Sequence, residues 1–146
     1  MADESVANRR AEIIASYGLY MAELRAPGPS WEVTPLAPGG EPGWSARHAA
    51  EHVARAGAYV IAGMAQALGI DGPPQQHSFA DANAAIAAMP GVHDALMDVL
   101  NHIHDDQLLV ERDYGPLGVT SFGAVLVVLA DHYRDHANQL RALRGS

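Results

Sequence analysis

His132 and His136 close the last strongly apolar stretch of the chain, in the run Leu-Ala-Asp-His-Tyr-Arg-Asp-His. Residues i and i+4 of a helix lie on one face, one turn apart. The two histidines continue an apolar stripe of Val125, Val128 and Leu129 that resumes at Leu140 and Leu143. Two imidazoles on a face that meets the core call for a partner, and one metal ion satisfies both. Each can reach such an ion at about 2.0–2.1 Å. A second i, i+4 pair, His48 and His52, lies in an earlier helical segment. If the two segments pack side by side, His52, or His48, supplies a third nitrogen. Three histidines and an open position describe a catalytic-type centre rather than a closed structural one. Imidazole nitrogen suits zinc, nickel, iron and copper. Zinc or nickel is the first expectation.

The elements that must position these side chains are helices. The first segment runs from about Ser5 to Arg25, with Val6, Ile13, Ile14, Tyr17, Met21 and Leu24 at helical spacing. A long irregular connection at 27–43 follows, holding five prolines, four glycines and Trp31, whose indole implies local packing. Ser45 is a natural N-cap for a second helix. Its stripe is Ala49, His52, Ala56, Tyr59, Val60, Gly63 and Ala67, and the Gly-Ile-Asp-Gly-Pro-Pro run from Gly69 stops it. Ser78-Phe-Ala-Asp81 reads as a capping-box start for a short Ala-rich helix to Met89, broken by Pro90-Gly91. The next helix is expected over about 92–110, with Leu96, Val99, Leu100 and Ile103 inward. The cluster Asp113-Tyr-Gly-Pro-Leu-Gly makes a turn, and Thr120 or Ser121 caps the final helix, which ends near Leu143. No alternating strand pattern persists beyond four or five residues, and no repeat of a solenoid period is present. The expected fold class is all-α. The expected architecture is one domain over residues 1–146, an antiparallel four-helix bundle with one short extra helix and the Pro/Gly-rich loop.

Composition narrows the chemistry. The chain has 146 residues, enough for a real core, and 49% are hydrophobic. A net charge of −8 without any basic cluster disfavours a nucleic-acid surface. The apolar run Phe122 to Ala130 is too short to span a bilayer, and the Met-Ala-Asp-Glu-Ser start lacks a secretory pattern. A cytoplasmic location with no membrane partner is therefore expected. There is no cysteine, which removes disulfides, thiolate ligands and a Cys nucleophile together. Any metal site must use nitrogen and oxygen. All nine basic residues are arginine, so Schiff-base and lysine-base chemistry is excluded as well.

Two readings compete with the three-histidine centre. His48-Ala-Ala-Glu51-His52 matches the His-x-x-Glu-His pattern of inverted zincins, where both histidines bind zinc and the glutamate acts as base. A peptidase also needs a further ligand and a substrate cleft, for which a compact bundle leaves little room. In the other reading the histidines are boundary residues with hydrogen-bond partners, in a non-catalytic metal- or ligand-binding bundle. That reading is preferred for His77, His93, His102 and His104: His77 sits in a loop, His93 near a helix start, and His102 off its helix stripe. His104 could face inward but has no partner at matching spacing. Glu51, Asp131 and Asp135 flank ligand positions. Glu51 and Asp135 are the candidate catalytic carboxylates, against the simpler role of a solvated helix face. Tyr114 and Trp31 are candidate pocket walls.

The segment Trp44-Ser-Ala-Arg-His-Ala-Ala-Glu-His52 resembles the second-helix motif of the DinB-like superfamily, in which a Trp-Ser or Trp-Thr start precedes a ligand histidine by eight residues. Asp131-His-Tyr-Arg-Asp-His136-Ala-Asn-Gln-Leu resembles that superfamily's last helix. The motifs stand in the right order, and the resemblance covers nearly the whole chain. It implies a bundle of up-down-down-up character, often a homodimer, with a divalent metal on His52, His132 and His136; His48 matches no ligand position. It also implies chemistry on a small-molecule substrate, as in thiol-dependent S-transferases and isomerases, including the maleylpyruvate isomerase-like proteins. These use mycothiol, bacillithiol or glutathione, a low-molecular-weight thiol cosubstrate. A coordinated thiol is held as thiolate. Metal-activated water would instead give a hydrolase.

Overall fold

In the computed structural model, residues 5–26, 31–32 and 43–144 are described. Most of the connection expected at 27–43 lies outside the described residues. Four long helices carry the fold: α1 (Val6–Arg25), α2 (Ala46–Leu68), α3 (Ala82–Asn101) and α4 (Phe122–Arg144). Three start on a side chain that accepts from a first-turn amide: Ser5 from Asn8, Ser45 from His48 and Asp81 from Ala84. Ser121 Oγ does the same for Ala124 at the start of α4. Gly69, at φ 72°, closes α2 in the left-handed conformation open to glycine.

Helices α1 and α4 are neighbours, as are α1 and α3, α2 and α3, and α2 and α4. Side-chain pairs give the directions. Arg134 donates to Ser16 and Arg141 to Glu23, so α1 and α4 run parallel. Tyr17 stacks on His93 and Arg10 donates to Asn101, so α3 opposes α1. Trp44 meets His136 and His52 meets His132, so α2 opposes α4. The order is up-down-down-up, with α1 facing α2 across one diagonal and α3 facing α4 across the other. The core between them holds Ile13, Tyr20, Ile61, Met64, Met89, Leu96 and Leu126, all essentially inaccessible. Among the described residues no helix is long and apolar enough to cross a membrane.

The third helix departs from expectation. There is no separate short helix to Met89: Pro90 and Gly91 lie inside one continuous α3, whose cap is Asp81 rather than Ser78. Ala85, Met89, Val92 and Leu96 are buried on one face that runs straight through the proline. Burying Met89, Val92 and Leu96 is worth about 1.5–3 kcal/mol each. Together these exceed the roughly 3 kcal/mol that an interior proline costs. The helix ends at Asn101, not near Val110. Residues Asp105–Leu109 form a 3-10 turn, and a hairpin of β1 (Glu111–Asp113) and β2 (Val119–Ser121) leads into α4. Strands of three residues are too short to show alternation. Four further expectations fail on facing. Ile14, Tyr59 and Val128 are 49%, 51% and 42% exposed, and Ala67 is exposed too. In α2 the true core face is made of small residues, Ala49, Ala50, Ala54 and Ala58 with Val53 and Ile61, whose low bulk hides the stripe. His104 faces solvent and His93 sits mid-helix.

Gly91 is exposed, and a Cβ added there would touch nothing within 4 Å. Gly91→Ala should therefore stabilise the protein by about 0.5–1 kcal/mol in chemical denaturation. An unchanged or lower stability would mean that the helix is not continuous at this point.

Candidate metal centre

The side-by-side packing of α2 and α4 brings three imidazoles together. His52, His132 and His136 each offer a ring nitrogen, and these lie within 4.8 Å of one another. His132 Nε2 and His52 Nε2 are 3.0 Å apart. The three rings meet at steep angles, with centroids 4.5 Å apart for His132 and His136 and 5.1 Å for His52 and His136. Edges rather than faces therefore converge, as nitrogen donors require. All three are half-buried, so the cluster is open on one side.

Electrostatics favours the neutral, lone-pair-bearing form. Burial, reinforced by the neighbouring His136 and His52, pushes the His132 pKa down to about 4. Burial, then His136 and His48, lowers that of His52. A metal ligand must be deprotonated, and these rings are held so. His136 Nδ1 donates to Gln139 Oε1 at 2.6 Å, which leaves its Nε2 free of the proton. Gln139 is the glutamine of the last-helix motif, to which the motif alone assigns no role. Its signal was present: i+3 from a ligand histidine is the next position on the same face. Trp44 stands against the cluster, edge-on to His52 at 4.9 Å and parallel to His136 at 6.0 Å between centroids. This contact accounts for the spacing of eight residues between Trp44 and His52.

The other candidates are placed elsewhere. His48 is exposed and stacks on Trp44 with ring centroids 4.0 Å apart, outside the cluster. Glu51 turns away from the imidazoles. Its Oε2 accepts from the Phe79 amide at 2.8 Å and from Arg47 Nε at 3.0 Å. Burial alone would raise its pKa, but these donors outweigh burial and hold it below the usual carboxylate range. The zinc pair and base of an inverted zincin are therefore not assembled. Asp131 pairs with Arg134, and Asp135 is exposed. His77 is buried and its Nε2 donates to the Pro74 carbonyl, while His102 Nδ1 donates to the Asp98 carbonyl. Trp31 donates to the Phe79 carbonyl and helps fasten the α3 entry, away from the cluster.

A pocket of about 610 Å³ opens directly beside His52 and His132. Its walls are Gly57 and Val60 of α2, Val128 and Leu129 of α4, and Tyr114 and Leu117 from the hairpin. The hairpin turn depends on glycine. Gly115 has φ +70°, and a Cβ there would come within 2.5 Å of the Tyr59 hydroxyl. Gly63 leaves room for the Tyr114 ring, which would lie 3.5 Å from a Cβ at that position. Tyr114 is thus a wall of this pocket, whereas Trp31 lines a separate, smaller cavity with Leu24 and Leu140.

An up-down-down-up bundle with a histidine cluster between its second and fourth helices defines a class of bundle proteins able to hold a metal ion. A family model described as DinB superfamily matches residues 8–140, and the chain belongs to that superfamily. Neither curated proteins nor solved structures yield a match.

In metal-free protein, His132 should titrate with a midpoint near pH 4, read from imidazole nitrogen shifts. Its folded pKa lies below the unfolded value of about 6.5. The unfolded chain therefore takes up the proton first, and stability falls as the pH drops from about 6.5 toward 4. A His132 midpoint near 6.5 would contradict the burial described.

Proposed function

We propose that the protein is a metal-dependent enzyme that holds one divalent cation, zinc or nickel, on His52, His132 and His136. Its reaction uses a low-molecular-weight thiol on a small-molecule substrate, as an S-transferase whose product keeps the sulfur or as an isomerase that releases the thiol again. The convergence of three imidazole nitrogens, two of them on rings that line an apolar pocket, carries this reading. The donor set fits such an ion: three imidazole nitrogens, one ring already oriented by Gln139, and no carboxylate among them. When bound, the cation would supply Lewis acidity, favouring thiolate over thiol.

The chain's own residues do the rest. His52 and His132 hold their nitrogens at the pocket end, and Trp44 closes the flank. The apolar walls offer few polar partners, so a substrate is held there by its apolar body. Because the chain has no cysteine, a sulfur nucleophile must arrive with the cosubstrate. A hydrolase would use water in that place, and thiol dependence of turnover separates the two.

Purified protein should bind about one zinc or nickel ion per chain, measured by elemental analysis after dialysis. His132→Ala combined with His136→Ala should abolish binding; undiminished binding would sink the proposal. Gln139→Leu should weaken zinc affinity by about 10–100-fold, since it frees the His136 tautomer. Unchanged affinity in that variant would remove Gln139 from the centre.

A further inference from the structure

The pocket beside the histidines differs in charge from the rest of the molecule. The chain carries 17 acidic against 9 basic residues, yet no carboxylate lines this cavity and Arg55 does. Arg55 sits one turn beyond Glu51 on α2, at the cavity's edge, and its side chain is 56% exposed. Its Nε donates to the His77 carbonyl at 2.8 Å, which aims the guanidinium. Glu51 Oε1 is 3.9 Å from an Arg55 guanidinium nitrogen, a long ion pair, while Arg47 Nε holds the other oxygen, Oε2, at 3.0 Å. The guanidinium therefore keeps donors to offer at the rim. Apart from Arg55, the lining is two imidazoles, two tyrosines, and the aliphatic or small residues Ala56, Gly57, Val60, Leu117, Val128 and Leu129.

We infer that this pocket binds a small molecule with an apolar, ring-sized body and one anionic group, the body against Val60, Val128 and Leu129 and the anion on Arg55. A polyhydroxylated ligand fits poorly, because the walls offer few partners for its hydroxyls and unpaired polar groups are costly to bury. A cavity of about 610 Å³ suits a body of one or two rings. The inference deepens the enzymatic reading and rests on it for the role of the ligand. The apolar anion would be the electrophilic partner of the reaction, and the polar thiol would approach the imidazoles from outside this cavity. Val128 and Tyr59, exposed in spite of their place in the apolar stripes, are explained at once: both line this cavity.

The test uses two probes with the same aromatic body, 8-anilinonaphthalene-1-sulfonate and its uncharged counterpart N-phenyl-1-naphthylamine. Both are titrated by fluorescence into metal-free full-length protein. The sulfonate probe should bind at one site per chain and more tightly than the neutral one. Arg55→Gln should weaken the sulfonate probe about three- to tenfold and leave the neutral one unchanged. Val128→Trp should displace both probes by filling the cavity. Val128→Glu should weaken both probes, and the sulfonate by the larger factor, and the 42% exposure of Val128 lets either variant fold. Equal affinity of the two probes, or sulfonate binding unaffected by Arg55→Gln and Val128→Glu, would overturn the inference. Binding undisturbed by Val128→Trp would place the probe elsewhere and overturn it too. No metal is present in the titration. A failure of metal binding therefore leaves this result intact, and a failure here leaves the metal reading standing.

Discussion

The antiparallel contact between α2 and α4 is the constraint on which the site depends. Small residues such as Ala49, Ala54, Gly57 and Ala58 let α2 lie close to its neighbours. Close helices bring His52 Nε2 to 3.0 Å from His132 Nε2. A bundle would gain more stability from apolar side chains at these positions, because each imidazole must give up water to sit there. The lowered pKa values of both rings record that loss. What the fold obtains is a set of converging imidazole nitrogens, two of them on rings whose charged form burial disfavours.

The run from Asp131 to His136 shows how one turn and a half of helix serves four environments. Tyr133 is buried against Tyr17 and Tyr20 and belongs to the core. Arg134 crosses to the fully buried Ser16 of α1 and tethers the parallel helix. His132 and His136 turn toward α2, and Asp131 and Asp135 toward water. The 3.6-residue period alone sorts these roles. A substitution at any one of the six positions therefore acts on a different part of the molecule.

The pocket is built by elements far apart in the chain. Two helices supply its walls, and the hairpin between α3 and α4 supplies Tyr114 and Leu117. The hairpin's geometry rests on Gly115 and Gly118, both at positive φ, and on the Asp113 carboxylate that accepts from the Gly115 amide. Without this turn the apolar side of His132 would lie open. Helix α3 contributes through the core instead, and its passage through Pro90 keeps Val92 against Gly57 behind the pocket.

Much of this was legible in the residues themselves. Helical periodicity marked α1, α2 and α4, and Ser45, Ser121 and Gly69 marked three of their ends, because caps are local chemistry. The i, i+4 spacing of His132 and His136 put two nitrogens on one face without any tertiary information. Facing was harder where the core is made of alanine, since Ala49 and Ala58 are buried while Tyr59 is exposed. Pro90 suggested a break that burial of Met89, Val92 and Leu96 overrode. The sequence by itself determined which residues could bind and where α1, α2 and α4 would begin, but not α3, whose cap is Asp81. Only the tertiary structure decided that His52 joins the pair while His48 stacks on Trp44, that Glu51 is tied to Arg47 and Phe79, and that Arg55 stands at the pocket edge. Spacing within a helix is set by its own hydrogen bonds, whereas the partner across a helix contact is set by how all four helices pack.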